Sequence, residues 1–455
     1  MNNDKKAKEL QYPVLLETLI AKGFCTGCGT CIAACPTDAL LLRRNQERGV
    51  FEPEINRKAC KKCGRCIQVC PQLDTARHTN ASDDSRTIED QLIGNYIDLH
   101  LGYANDDVIR YRSTSGGLVT QLLLFALDKG IIDGALVTKM SNNDNSPSPE
   151  PFIARTKEEI LEASRSKYCP VPANVALKQL LQLPESDKIA VVGLPCHLNG
   201  IRKAEENSER LKKRIVLHLG LFCSHSFSFK GLEFLCHKYN ITIQEIDTIH
   251  FRGNGWPGSI EIQCKDGNRI SFQNNEPLWD SIFNTLYFSP KCCLFCDDLT
   301  AEVSDLSFGD AWIPEIMQSE TEGMSIVIAR TSEGKRLLDA AASNRWICLL
   351  PTSRYDVVKS QRLFLHFKKV NLHYRLVLSN LIGNKPLRSY LFHVRGARSN
   401  YLIALIAMMH NGLSLKLSTL LQHLPRSIFC RYSLLIRVTM SVIARRDFNR
   451  MDNRS

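Results

Sequence analysis

Three absences narrow the reading of this 455-residue chain. No uninterrupted apolar run reaches bilayer length. The longest, Tyr401 to Met409, is about half of what a spanning helix needs, which excludes a polytopic membrane protein. The opening residues, MNNDKKAKEL, contain no apolar core of a secretory leader, so a cytoplasmic place is expected. Acid is nearly missing from the end of the chain. Between Val357 and Ser455 only Asp447 and Asp452 face 17 Lys or Arg, so the tail carries +15 of a formal net +11 and leaves the remainder slightly acidic. At 44% hydrophobic and 23% charged residues, disorder throughout, collagen and coiled coil are excluded, and the length fits two or three domains. What the chain has in excess is cysteine, 18 in all. Without an export route, that many thiols point to metal or redox work in a reducing compartment rather than to disulfides.

Eight of the cysteines fall between Cys25 and Cys70 as two copies of C-x2-C-x2-C-x3-C-P, offset by 35 residues. The first copy is Cys25, Cys28, Cys31 and Cys35 with Pro36; the second is Cys60, Cys63, Cys66 and Cys70 with Pro71. Three closely spaced thiolates can wrap one iron–sulfur cube while the fourth, stiffened by proline, reaches the other. The expected ligand sets are therefore Cys25, Cys28, Cys31 and Cys70 for one cluster, and Cys60, Cys63, Cys66 and Cys35 for the second. Gly27, Gly29 and Gly64 permit the tight backbone that turns amide N–H groups towards sulfur. Structural zinc, which takes separated cysteine pairs or Cys/His sets, fits this pattern poorly. The region resembles bacterial two-cluster ferredoxins, which implies two [4Fe-4S] clusters.

The order of elements predicts an α/β body with additions after a polar linker. Four segments are expected: 1–77 ferredoxin-like, 78–98 linker, 99–356 flavin and iron–sulfur body, and 357–455 a basic, helical tail. Strands are expected at Leu99–Ala104, Ile131–Lys139, Ile189–Leu194 and Ile215–Phe222, with a helix over Leu118–Asp128 and a loop tip over Ser141–Glu150. A hairpin turns at Asp266-Gly267. Cys196 and Cys223 each follow a buried strand, and the helix between makes those strands parallel, so both thiols lie on one carboxyl rim. With Cys293 and Cys296 they could form a third cubane site, or be ordinary small buried residues. Cys292 beside Cys293 leaves the ligand open. Ser115-Gly116-Gly117 opens a helix and, with Arg110 and Arg112 nearby, could seat a phosphate, although a serine with glycines also simply starts helices.

The motifs RSTSGG (Arg112 to Gly117), SKY (Ser166 to Tyr168), GLPCH (Gly193 to His197), LFCSH (Leu221 to His225), FRGNGWPG (Phe251 to Gly258), CLFC (Cys293 to Cys296) and SDLSFGDAW (Ser304 to Trp312) occur in that order. Over roughly Leu101 to Ala329 they resemble the β-subunit family of coenzyme F420 hydrogenase and dehydrogenase. That resemblance implies FAD beside an iron–sulfur cluster, with Ser115, Gly116 and Gly117 near the FAD phosphates and Lys167 near the isoalloxazine as the catalytic residue. It also implies the third cluster on Cys196, Cys223, Cys293 and Cys296.

The function expected is an iron–sulfur flavoprotein oxidoreductase. Electrons come from a ferredoxin or other low-potential donor and pass to a small ring-containing acceptor, either F420-like or a substrate of polysaccharide biosynthesis. The alternative is a non-catalytic electron-transfer subunit of a larger dehydrogenase or reductase. In a third class the clusters only staple the fold. The basic tail reads either as helices at an anionic membrane surface, giving a peripheral place at the inner face of the membrane, or as helices packed on the body. Nucleic acid is not expected, because aromatic interleaving is sparse and no recognised binding module is present.

Overall fold

The computed structural model describes residues 14–73, 87–143, 146–388, 390 and 396–452. Residues 78–86 of the expected linker lie outside the described residues.

The N-terminal unit is built on a hairpin of β1 (Leu40–Asn45) and β2 (Val50–Ile55), antiparallel with Leu40 opposite Ile55. Each cysteine repeat contributes a single helical turn, Thr30–Ala33 and Arg65–Gln68. Both turns start after a glycine held left-handed, Gly29 at φ 84° and Gly64 at φ 76°, a conformation that a side chain would penalise. The sequence duplication is therefore also a duplication of backbone shape.

The body is a mixed eight-stranded sheet. Its strands are β3 (Asp98–Ala104), β4 (Gly134–Asn143), β5 (Ser146–Ala154), β6 (Ile189–Gly193), β7 (Ile215–Leu221), β11 (Leu306–Asp310), β12 (Ser325–Ala329) and β13 (Ile347–Pro351), in the order β13-β3-β12-β11-β7-β6-β4-β5. The central neighbours β4, β6, β7 and β11 are parallel, and the outer pairs are antiparallel. Both faces of the sheet are covered, so β12 is buried throughout and its residues alternate between two cores: Val327 and Ala329 pack with the helix Leu118–Asp128 on one side, Ile326 and Ile328 with Leu92, Ile93 and Val358 on the other. A smaller sheet of β8 (Ile246–His250), β9 (Ser259–Cys264) and β10 (Arg269–Gln273) holds the expected hairpin, with Gly267 at φ 91° in its turn. The α/β class with additions is the class observed.

Three expectations are corrected. The expected loop Ser141–Glu150 is mostly hairpin, with Ser141 opposite Ser148 and Asn143 opposite Ser146, residues 144–145 lying outside the described residues. Its prolines misled the reading; Pro147, Pro149 and Pro151 sit in β5, the edge strand, where a missing N–H costs no ladder bond. The last part of the expected linker belongs to the body. Thr87 caps the helix Ile88–Ile93, and Leu92 and Ile93 are fully buried. The boundary at 356/357 falls inside the helix Arg354–Leu365, whose Val357 and Val358 are core residues.

The tail is helical, as expected. A π-helical turn, His366–Val370, leads to helices at Leu372–Leu381, Asn400–Lys416, Ser418–His423 and Arg426–Asp452. Their inner faces pack on the rest of the chain, where Ile403, Ala407, Ile436 and Met440 join a core with Leu16, Leu19, Phe24 and Phe295.

Candidate functional site

The eight N-terminal thiols line two hollows. Cys25, Cys28, Cys31 and Cys70 surround one, with Gly27, Gly29 and Pro71 in its wall. Cys35, Cys60, Cys63 and Cys66 surround the other, with Pro36 and Gly64. The repeats have thus exchanged their fourth thiols. Gly27 N–H lies 3.4 Å from Cys25 Sγ, the amide-to-sulfur approach that the glycines allow. Burial, reinforced by neighbouring thiols, pushes Cys25 and Cys31 well up, Cys66 to about 11 and Cys70 to about 12. Buried thiols that resist ionisation side by side are a poor arrangement by themselves, and a cationic core is what relieves it. Among the described residues no three His, Cys, Asp or Glu side chains close on a single ion. The thiols line cavities instead, as a cube with one iron per sulfur requires.

A second gathering forms in the body. Strands β6 and β7 are parallel, and the helix Pro195–Glu206 begins directly at the β6 edge, so Cys196 sits in its first turn and Cys223 just beyond β7. Cys293 lies on the one-turn helix Lys291–Leu294 and Cys296 just after it. The Cys196 thiol is raised by burial and then by Cys223, Cys28, Cys296 and Cys293, so thiols from distant parts of the chain meet here. Between the adjacent cysteines the geometry is one-sided. Cys292 donates to Cys293, and Ser226 N–H stands 3.5 Å from Cys293 Sγ. Cys293 is drawn down to about 7 while Cys292 is pushed up, which puts the negative charge on Cys293.

The tail completes this second site, and the sequence reading missed it. Lys368 Nζ donates to Cys296 Sγ at 3.1 Å and to Asp298 O at 2.8 Å. Arg375, fully buried, donates from Nε to Leu294 O at 2.6 Å and from Nη1 to Phe367 O at 2.7 Å. Arg388 pairs with both oxygens of Asp297 at 3.0 Å. The available signal was a run of basic residues in otherwise apolar helices.

The three quartets adjoin in series. Cys31 feels Cys66 of the neighbouring hollow, and Cys196 feels Cys28. The seam between ferredoxin unit and body is tight at that point. Asn174 N–H donates to Cys28 O at 2.9 Å, and Asn174 Nδ2 donates to Thr30 Oγ1 at 2.7 Å and His197 O at 2.9 Å. Lys203 Nζ donates to Cys70 O and Leu73 O. His197 is a satisfied core histidine: Nδ1 accepts from Leu194 N–H at 3.2 Å, leaving Nε2–H for Val171 O at 3.0 Å, and burial lowers it to about 4.

Beyond the body quartet, four of the recurring motifs converge. Ser166 N–H donates to Thr114 Oγ1 at 2.7 Å, Arg165 Nε to Arg112 O at 2.9 Å, and Gly255 N–H to Tyr111 O at 2.9 Å. Arg252 clasps Asp310 with bonds of 2.8 and 3.1 Å, and Trp256 Nε1 donates to the same carboxylate at 2.9 Å. Ser226, next to the quartet, reaches Cys169 O at 3.4 Å, so this seam adjoins the thiols. The expected phosphate loop is firmly sutured. Ser115 Oγ donates to Met324 O at 2.8 Å, Gly116 N–H to Ser325 Oγ at 3.0 Å, and a Cβ on Gly116 would stand 2.5 Å from Gly102 O. Gly117 has φ 76° before the helix Leu118–Asp128. Close packing thus accounts for Gly116 without a ligand. Arg110 is committed to Glu320, Glu322 and Gly323 O. Lys167 turns inward, its Nζ donating to Ala163 O, Ser164 O and Arg165 O at 2.5, 2.8 and 2.9 Å. Burial pulls it down to about 7, while three carbonyls match the three hydrogens of an ammonium.

Fold, hollows and seam together define an iron–sulfur redox protein. Family models match three stretches: "4Fe-4S dicluster domain" over 24–73, and "Coenzyme F420 hydrogenase/dehydrogenase, beta subunit N-term" over 99–178 and "C terminus" over 186–354. The chain belongs to the coenzyme F420 hydrogenase/dehydrogenase beta-subunit family and carries a 4Fe-4S dicluster domain ahead of it. It is 28% identical to coenzyme F420 hydrogenase subunit beta of Methanothermobacter thermautotrophicus over 55% of this chain and 83% of that protein. It is 26% identical to the coenzyme F420-dependent sulfite reductase of Methanocaldococcus jannaschii over 79% of this chain, spanning only 52% of that longer protein. A chain of the F420-reducing [NiFe] hydrogenase complex from Methanosarcina barkeri shares the fold at TM-score 0.50 and 23% identity, covering 66% of this chain and 99% of that one.

Proposed function

We propose that this chain is an electron-transfer subunit of a larger F420-dependent hydrogenase, dehydrogenase or reductase, in preference to a self-contained enzyme. The observation that carries this reading is the succession of three adjoining thiol quartets from the ferredoxin hairpin to the motif seam. In this reading Cys60, Cys63, Cys66 and Cys35 would hold the outer cluster, Cys25, Cys28, Cys31 and Cys70 the middle one, and Cys196, Cys223, Cys293 and Cys296 the inner one; the first two sets line hollows and the third meets in the body. Bound [4Fe-4S] cubes would supply single-electron transfer, and a bound FAD would couple it to two-electron chemistry. Ser115, Gly116 and Gly117 present the FAD-facing loop in this reading, and Lys167 fixes the segment after it; to touch a flavin ring its ammonium must release a carbonyl. The beta-subunit name of the relative favours partner subunits, and the F420 in the relatives' names favours an F420-like acceptor over a polysaccharide precursor. A low-potential donor such as a ferredoxin would deliver its electron at the outer cluster, where Cys63 is exposed.

Anaerobic purification with iron, sulfide and flavin analysis tests the sites: about twelve irons and roughly one FAD are expected, and about eight irons removes the inner cluster. The isolated chain, reduced by a low-potential donor, is expected to store electrons without turning over F420. Steady turnover by the chain alone refutes the subunit reading.

The tail supports a second proposal, contact with an anionic membrane surface. Leu402, Leu405, Met409 and Leu413 form an exposed row on one helix, and Ile428, Tyr432, Leu435 and Val442 form another on the last. Arg431, Arg445 and Arg446 are exposed beside the second row. The helix Arg426–Arg450 is long and apolar enough to cross a bilayer by length and composition alone. An apolar face flanked by arginines suits the headgroup boundary of an anionic bilayer. The full chain should float with anionic vesicles and far less with neutral ones; equal flotation with both removes the proposal.

A further inference from the structure

A lysine ammonium is expensive to bury unless its hydrogens find acceptors and its charge finds an anion. Lys368 is 1% exposed. Its two hydrogen bonds go to Cys296 Sγ at 3.1 Å and to the backbone carbonyl of Asp298 at 2.8 Å, and neither partner is a carboxylate. The groups arrayed against it are the sulfurs of Cys296, Cys223 and Cys293, which a bound cluster would hold as thiolates. Its neighbour takes a different route, Lys369 pairing with Glu302. The backbone is specialised where this happens: Lys368 sits in the π-helical turn His366–Val370 between two ordinary helices. Such turns are rare and concentrate at functional sites. Packing alone does not call for a charge here, since a methionine would fill similar space without the desolvation cost.

Facing side chains sharpen the point. His225, which the Lys368 charge reaches, lies among Phe227, Phe283 and Phe364, and neither of its ring nitrogens has a hydrogen-bond partner among the described residues. Arg375, the other buried cation nearby, spends its bonds on Leu294 O, Phe367 O and Asn371 Oδ1. Among the described residues, Lys368 is therefore the cation whose hydrogen bond is given to a quartet sulfur.

We propose that Lys368 is a positioning residue that sets the reduction potential of the inner cluster. The inference rests on the reading that Cys196, Cys223, Cys293 and Cys296 hold a cubane. A fixed positive charge against a ligand sulfur, in a medium where screening is weak, favours the redox state carrying the additional electron and so raises the potential. Each transfer into that site oxidises the middle cluster by one electron and reduces the inner one by one. A raised inner potential draws charge from the ferredoxin unit towards the motif seam.

The test is an anaerobic, EPR-monitored redox titration of the full iron-loaded chain, comparing wild type with Lys368→Met, Lys368→Gln and Lys368→Arg. In the methionine and glutamine variants the inner signal is expected to need a potential lower by about 59 mV or more, a tenfold fall in its reduced-to-oxidised ratio at fixed potential. The two ferredoxin-type signals should stay in place, and arginine should restore most of the shift. An unchanged inner midpoint in either neutral variant overturns the proposal. So does loss of the inner cluster from both neutral variants but not from the arginine variant, which would make Lys368 an assembly residue. A wild-type preparation with only two clusters refutes the cubane reading itself, a separate failure.

Discussion

The eight thiols near the N-terminus and the four in the body are gathered in opposite ways. The first set needs only its own fifty or so residues: two repeats, two left-handed glycines and one hairpin bring each quartet around a hollow. The second set draws on two strand ends, a one-turn helix and cations from the tail, separated by up to about two hundred positions in the chain. A locally built site is rigid wherever its peptide goes. One assembled across the fold is tied to everything that holds those pieces together, so a distant change can reach it. That dependence is a reason for the last hundred residues to be basic. Lys368, Lys369, Arg375 and Arg388 spend their charge or their hydrogen bonds on the segment from Leu294 to Glu302.

The comparison breaks first at the exchanged fourth thiols. Cys35→Ser should extinguish the cluster of Cys60, Cys63 and Cys66 while sparing that of its own repeat, and Cys70→Ser should do the reverse. Each variant should lose about four irons. Anaerobic iron analysis with EPR of the singly and doubly substituted chains checks it. If Cys35→Ser instead removes the cluster nearest Cys28, judged by its coupling to the inner signal, the crossed arrangement is wrong.

Legibility followed the same division. The ferredoxin quartets could be read because their chemistry is periodic along the chain. The meeting of Cys196 and Cys223 could be read because a strand, helix and strand in succession leave few topologies. The edge strand β5 was hidden by prolines that an interior strand would not tolerate. Lys368 was hidden more deeply, since nothing in HFKKV separates a lysine facing solvent from one turned onto a sulfur 72 positions earlier. Lys167 shows the converse: its motif marks it as important, yet its ammonium is spent on three carbonyls of its own segment.

The smallest expected effect concerns how the tail is pinned. Asp447, 2% exposed on the last helix, accepts from His366 Nε2 at 2.9 Å, Asn400 Nδ2 at 2.6 Å and Ala397 N–H at 3.2 Å. Burial opposes its charge, but the bonds from His366 and Asn400 outweigh that and hold its carboxyl below the usual range. A carboxyl whose folded pKa is depressed stabilises fully above its unfolded value of about 3.9, and the contribution drains as pH falls through the folded one. His366 opens the turn that carries Lys368, so this pin bears on the inner quartet and not on the ferredoxin hollows. Asp447→Asn, which keeps shape but loses charge, should cost on the order of 1–2 kcal/mol at neutral pH and flatten the acid limb of the stability curve. Thermal unfolding at pH 7 reads the stability cost, and its extension below the unfolded value of about 3.9 reads the flattened limb; the EPR signal of each cluster, followed on heating at pH 7, reads which site is affected. The inner signal should fade before the outer two; simultaneous loss of all three would mean that the tail and the hairpin stand or fall together, and the contrast drawn between the regions would dissolve.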